Sequence, residues 1–253
     1  MKPHRIVGIV SAVAIAAMVV WAGAQPSRWQ VIAAYRTSLE SRTSAQAHNA
    51  ELAANALDGK TLQPGAEFSF NRAVGSWTAD KGYVKAPVSF DGELVPSWGG
   101  GVCQTSSTLY NAALLAGLDI IERHRHRFAA RYVPPGQDSA VAQYDVDLRL
   151  RNPYPWPVKM QAEVSGKWLI CRLLAQRKPD ATFSVEREIR QITQPSEVVR
   201  ASGGANLRWR VLNHGAPGIR VAVYRRETKG DQSVRRLLSD DTYPPLNRLV
   251  EGE

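Results

Sequence analysis

The stretch Gly99-Gly100-Gly101-Val102-Cys103-Gln104 runs without a break into Thr105-Ser106-Ser107-Thr108-Leu109-Tyr110-Asn111-Ala112-Ala113-Leu114-Leu115-Ala116-Gly117. Leu109, Ala112, Ala113 and Ala116 recur at helical spacing, and Gly117 reads as the residue that stops the helix. Three glycines before a cysteine therefore place Cys103 at or just before a helix N-terminus. Free N–H groups and a partial positive charge favour thiolate over thiol there. The glycines let the backbone turn sharply and let a substrate come close. The alternative is a small buried hydrophobe at a helix start.

The N-terminus sets the compartment in which that cysteine is read. Lys2, His4 and Arg5 precede an uncharged run of 19 residues, Ile6 to Ala24, that ends in Ala22-Gly23-Ala24. This is the form of a signal peptide with a small-x-small cleavage site, and equally of an uncleaved membrane anchor. Either way the body is expected to be exported: anchored with an extracytoplasmic domain, or secreted or periplasmic. The net charge is +9, and removing Lys2 and Arg5 leaves +7. That balance suits an anionic neighbour such as a membrane or wall polymer, or no such partner at all. The arginine pairs Arg225-Arg226 and Arg235-Arg236 lack interleaved aromatics, which argues against nucleic acid. Export also permits a disulfide between the two cysteines, Cys103 and Cys171. Cys171 sits in an alternating, strand-like segment.

Around this stretch the pattern is α+β, with antiparallel strands about one central helix that starts at the Cys103 motif and a small all-β module after it. Gln25 to Asp58 reads as helical. Strand-like runs include Tyr83–Phe90 before an Asp91-Gly92 turn, Phe128–Val133, Asp145–Leu150, Val158–Val164 and Trp168–Leu173. After Gln176–Pro179 the chain reads as β throughout, with no internal repeat.

A cysteine nucleophile needs a base, and the base needs a group to orient it. His124 and His126 follow the helix, and they would share a face if 122–133 were extended. Asp138 and Asp147 are candidate orienters. Backbone N–H groups of Val102, Cys103 or Gln104 could line an oxyanion hole. Gly100, Gly101, Gln104 and His124 are candidate substrate-binding or oxyanion residues. His124, His126 and Cys103 could instead hold zinc, although no close ligand pair of fixed spacing accompanies the cysteine. Ser106, Ser107 and Thr108 read as residues that satisfy backbone groups. No cofactor or metal is called for.

The segment Pro64-Gly65-Ala66-Glu67-Phe68-Ser69-Phe70-Asn71, with Gly82-Tyr83, Gly99 to Gln104, Ser107 to Ala112, His126, Tyr132-Val133, Gly136, Asp138, Ala140, Asp147-Leu148 and Arg151-Asn152, resembles the VanW domain family over roughly residues 40–175. Ser139 departs mildly, where many members have alanine. Gly215 to Gly218 and Ser239 to Pro245 resemble a β extension that often follows the domain. The division implied is 1–24 signal or anchor, 25–60 helical lead-in, 61–175 VanW-like domain and 176–253 β-rich extension.

The resemblance implies a cell-envelope protein associated with vancomycin resistance. It also implies peptidoglycan chemistry of the L,D-transpeptidase type through Cys103. His126 aligns with the family histidine and is the base chosen over His124. Asp138 and Asp147 match family positions, with Asp138 chosen as the orienter. The expected partners are peptidoglycan stem peptides, and the membrane where the N-terminal segment stays attached. Water as acceptor would give a carboxypeptidase. The competing expectation is a non-catalytic envelope-binding module in which Cys103 is buried or paired.

Overall fold

A computed structural model describes residues 29–90, 93–201 and 209–252. The leader of 1–24 and the Asp91-Gly92 turn lie outside the described residues. The elements in chain order are β1 (Gln30–Ser38), α1 (Ser44–Leu57), β2 (Thr61–Leu62), β3 (Glu67–Ser69), α2 (Phe70–Val74), β4 (Lys85–Phe90), β5 (Glu93–Trp98) and α3 (Val102–Leu115). There follow β6 (Asp119–Glu122), β7 (Arg149–Arg151), β8 (Val158–Ser165), β9 (Trp168–Ala175), β10 (Thr182–Thr193), β11 (Glu197–Ala201), β12 (Trp209–Asn213), β13 (Gly218–Lys229), β14 (Gln232–Tyr243) and β15 (Arg248–Gly252). The protein is mixed but mostly β, with few helices. Its strand pairs are antiparallel except for β11 with β15.

One sheet, in the order β1-β9-β8-β2, carries the helices. Every second side chain of β9 (Leu169, Cys171, Leu173, Ala175) and of β8 (Val158, Met160, Ala162) is buried on one face. This is the period-2 pattern of a half-buried strand. α3 packs against β1 and β9 on that sheet, and α1 packs against β8. Each large aliphatic side chain sealed in this layer contributes roughly 2 kcal/mol through removal from water.

Gln30–Ser38 is a strand, not part of a helical lead-in. Its alanines sit well in a helix by propensity, but Tyr35 pairs with Cys171 and Ser38 with Trp168 along the sheet edge. Tertiary pairing overrides a weak local preference. The helix expected there begins only at Ser44. Thr43 caps it, accepting the Gln46 N–H at 3.2 Å while Gln46 Oε1 accepts the Thr43 N–H at 3.0 Å. Phe128–Val133 is irregular rather than a strand, and the run Asp145–Leu150 gives only an isolated bridge from Val146 to Ala142 and the start of the strand Arg149–Arg151.

The C-terminal strands form two three-stranded sheets, β10-β13-β14 and β11-β15-β12. Val221, Val223 and Tyr243 are buried together there, against Ala129 of the first unit. The contact is close, since a Cβ on Gly136 would lie 2.3 Å from Val223.

The glycine run is built for packing. Gly101 has φ +113°, and a Cβ on it would lie 2.1 Å from the backbone oxygen of Gln46. A Cβ on Gly100 would lie 2.9 Å from the carbonyl oxygens of Ala86 and Pro87. Asn49 of α1 is fully buried and fixes the loop by donating to Gly100 O at 2.9 Å and Val84 O at 2.9 Å. Gln46 and Asn49, in the first two turns of α1, therefore set the position of the first turn of α3. Gly101→Ala is expected to cost at least about 2 kcal/mol, from strained φ plus an immovable backbone contact. Gly230→Ala, with φ +55° and open space, bears the strain alone and is expected to cost about 1 kcal/mol. Urea unfolding of the two variants checks the difference; equal midpoints would show that the Gln46 contact does not constrain Gly101.

Candidate functional site

α3 starts without a side-chain cap, on Gly101. The Val102 N–H donates to Gly99 O at 3.0 Å and the Gln104 N–H to Gly101 O at 3.0 Å. Cys103 lies between them as a half-buried free thiol, its Sγ 3.4 Å from the Val141 carbonyl oxygen. Cys171 is also a free thiol, fully enclosed in β9, and burial pushes it up to about 12. The two cysteines are unpaired.

The next turn of α3 places the acid. Ser106 Oγ donates to Ser139 O at 2.6 Å. Ser107 Oγ accepts the Ser139 N–H at 2.8 Å, and Asn111 Nδ2 donates to Gln137 O at 2.7 Å. These buried groups clamp the backbone on both sides of Asp138. Ser106 and Ser107 thus satisfy backbone groups, as read from the sequence, but on a second segment as well as on their own helix.

Asp138 is almost wholly buried. Its Oδ2 accepts from His126 Nδ1 at 2.6 Å and from the His126 backbone N–H at 2.7 Å. Its Oδ1 accepts from Arg123 Nη2 at 2.9 Å and from the Tyr243 hydroxyl. His126 also lies near enough to Cys103 for the imidazole and the thiol to act on each other's ionisation. The structure thus brings together Cys103, His126 and Asp138 in the order thiol, imidazole, carboxylate. Tyr132 closes the site: its ring stands edge-on to His126 at 6.4 Å, with the Arg42 guanidinium 4.8 Å from its centroid.

Several sequence candidates fall elsewhere. Gln104 is buried toward β1, its Nε2 donating to Thr37 Oγ1 at 3.0 Å and to Ser38 O at 2.9 Å, so its side chain is spent on the sheet. His124 pairs with Glu122 at 2.9 Å and is exposed, because β6 ends at Glu122 and the two histidines do not share a strand face. Asp147 receives Ser69 Oγ at 2.5 Å and the Asn71 N–H at 2.9 Å, which ties down the start of α2. Arg123 and Tyr243 escaped the sequence reading. Arg123 stands in a run of alternating arginines and histidines that reads as surface, and Tyr243 is 105 residues from Asp138 along the chain.

The electrostatics follow from this chain of contacts. Burial disfavours the imidazolium of His126, but the bond to Asp138 and the contact with Cys103 outweigh it and raise the ring to about 10. Burial likewise opposes ionisation of Cys103, and the His126 bond and charge overcome it and hold the thiol below its ordinary value. Asp138, despite burial, is lowered to about 2 by His126 and Arg123. The site therefore favours an imidazolium at His126 and a carboxylate at Asp138, and draws the Cys103 thiol toward its thiolate.

For stability, His126 contributes fully below its unfolded value of about 6.5, and this is lost as pH rises through about 10. Asp138 contributes above about 3.9, and this is lost as pH falls through about 2. The same balance governs reactivity. Iodoacetamide alkylation of Cys103 is expected to show a midpoint below the ordinary thiol value of about 8.5. In His126→Ala the midpoint is expected above that value, because burial is then no longer opposed by an imidazolium. Coincident profiles would show that no imidazolium supports the thiolate.

Comparison with known proteins bears on residues 45–174, which match the model of the "VanW like protein" family. The uncharacterized protein YoaR of Bacillus subtilis (strain 168) is 41% identical over 168 residues, covering 63% of this chain and 55% of that protein. The vancomycin B-type resistance protein VanW of Enterococcus faecalis (strain ATCC 700802 / V583) is 29% identical over 162 residues, covering 62% of this chain and 56% of that protein. The chain thus spans about half the length of these relatives. Among solved structures, HP0197-G5 matches 29% of this chain and 95% of its own, with TM-score 0.17 and 20% identity. The IgA1 protease G5 domain matches 30% of this chain and 92% of its own, with TM-score 0.21 and 21% identity. With half of its length matched by the family model, the chain belongs to the VanW-like protein family.

Proposed function

We propose that this protein is a cysteine acyltransferase of the L,D-transpeptidase type that acts on peptidoglycan stem peptides outside the cytoplasmic membrane. The observation that carries the reading is the chain of contacts from Cys103 through His126 to the buried carboxylate of Asp138. The helix start adds positive potential at the thiolate. A relative named for vancomycin resistance is in keeping with a cell-envelope substrate.

In this reaction the Cys103 thiolate attacks the carbonyl between diaminopimelate and the terminal D-alanine of a tetrapeptide stem. The S–C bond forms and the carbonyl oxygen becomes an oxyanion. Val102 and Gln104 have committed their N–H groups to the loop, which leaves the Cys103 N–H as the oxyanion donor at this helix start. The C–N bond then breaks, and D-alanine departs with a proton from His126. The side-chain amine of a second stem attacks the thioester, gives its proton back to His126 and releases the thiolate, leaving a 3–3 crosslink. Asp138 keeps the His126 ring oriented and its charge compensated throughout. Water in place of the amine gives carboxypeptidase activity.

Mass spectrometry of the wild-type protein and Cys103→Ser after incubation with tetrapeptide-stem muropeptides tests this. The expected result is an acyl adduct on Cys103, or release of D-alanine with new crosslinks, in the wild type alone. Unchanged muropeptides with both proteins would overturn the enzymatic reading and favour a non-catalytic envelope-binding module.

A further inference from the structure

The family match ends at residue 174, yet two of the groups that organise the site come from β14. The Tyr243 hydroxyl donates to Asp138 Oδ1 and accepts the Gly136 N–H at 3.0 Å. It also lies 3.3 Å from Arg123 Nη2. Tyr243 is 1% exposed. Arg123 joins the same two segments, with Nε to Asp138 O at 2.7 Å and Nη2 to Asp138 Oδ1 at 2.9 Å. Its Nη1 reaches Asp241 Oδ2 at 2.6 Å.

We propose that Tyr243 is a positioning residue for the Cys103 site, and that the C-terminal β module completes the site rather than merely following it. This inference rests on the functional reading above. The argument is one of lone pairs and donors. Oδ2 of Asp138 serves His126 twice, so the carboxylate keeps its orientation only if Oδ1 is held from the opposite side. Tyr243 is suited to that place because a hydroxyl gives and receives at once. It gives to Oδ1 and receives from Gly136, two residues before Asp138. Phenylalanine fills the same volume and can do neither. Asp241 holds Arg123 from behind, so that the guanidinium bridges a carboxylate of each unit in a geometry that lysine could not reproduce. Without the hydroxyl, Arg123 Nη2 alone holds Oδ1 and the Gly136 N–H loses its acceptor, so Asp138 is set less firmly against His126. The imidazolium is then less well compensated, and Cys103 is drawn less toward its thiolate. The Tyr243 hydroxyl bonds Asp138, Gly136 and Arg123, so it acts on Cys103 through the seating of Asp138.

The experiment is the pH profile of Cys103 alkylation by iodoacetamide in the full chain, for wild type, Tyr243→Phe and His126→Ala. Thermal melting and ¹⁵N-histidine NMR of each protein serve as parallel readouts. Tyr243→Phe is expected to melt as a folded protein, to move the alkylation midpoint upward and to slow alkylation at pH 7 by about tenfold, one pKa unit. The His126 nitrogen shifts are expected to move toward the neutral ring. A purely structural tyrosine would lower the melting temperature and leave the profile where it was. That result, with His126→Ala still shifted, would overturn the inference and leave the functional reading intact. An unmoved profile in His126→Ala would remove the thiolate–imidazolium pair, and both would fall. If Tyr243→Phe does not fold, Asp241→Asn decides the matter with the same measurement. An upward shift supports the inference and an unmoved midpoint overturns it.

Discussion

A charged carboxylate shut away from water must be met by donors fixed in place, and in this protein that carboxylate is Asp138. Its surroundings supply four hydrogen bonds, from the ring and backbone of His126, from Arg123 and from Tyr243. Removing one partner of such a buried network typically costs about 3–5 kcal/mol, because the charge that remains is uncompensated. The site and the fold are therefore not separable. The donors are Arg123 and His126, just after β6, and Tyr243, the last residue of β14. Seating Asp138 requires the C-terminal sheet to dock on the first unit, and the missing side chains of Gly117 and Gly136 permit that docking. At Gly117 a Cβ would meet the Phe183 ring at 2.4 Å.

The polar face of α3 has the same logic. Thr105, Ser106, Ser107, Thr108 and Asn111 are all buried, an arrangement that would be destabilising if their hydroxyl and amide groups lacked partners. Thr105 is spent on Ala50 O of α1, Thr108 on Thr37 of β1, and Ser106, Ser107 and Asn111 on the segment 137–139. One helix thus measures the distances from its own first turn to α1, to the sheet and to the acid. The Cys103 thiol and the Asp138 carboxylate are held by the same rigid object, which is how a site keeps its geometry without relying on loop packing.

Much of this was legible in the sequence because it is local. The glycine run, the helix start and the stop at Gly117 follow from backbone conformation and 3.6-residue spacing. The Ser and Thr residues of α3 could be read as backbone partners because short hydroxyl side chains seek nearby carbonyls. What escaped depends on distant pairing. Gln30–Ser38 carries alanines that favour a helix, and only the edge of β9 makes it a strand. Gln104 adjoins the nucleophile in sequence but faces the opposite side, toward Thr37. Neither spacing nor resemblance separates Asp138 from Asp147, since both stand near the right distance along the chain and both match family positions; the fold separates them by seating Asp138 against His126 and Asp147 against Ser69 and Asn71. Arg123 resembled its surface neighbours, and nothing within a hundred residues of Asp138 announces Tyr243.

The two cysteines show how far environment, rather than residue type, determines chemistry. Both are enclosed by side chains, and burial alone would push both thiols upward. Cys171 follows that rule, with Tyr35 and Ala162 on the neighbouring strands and a value of about 12. Cys103 departs from it because it begins a helix and faces an imidazole that is itself held charged by Asp138. The direction of the shift is thus decided two contacts away from the sulfur. Opposite charges in contact thus offset a burial that would otherwise push the thiol up. The cost of burying three charges is offset only while all of them stay in register, which is why the acid needs so many fixed donors for a task that requires one hydrogen bond.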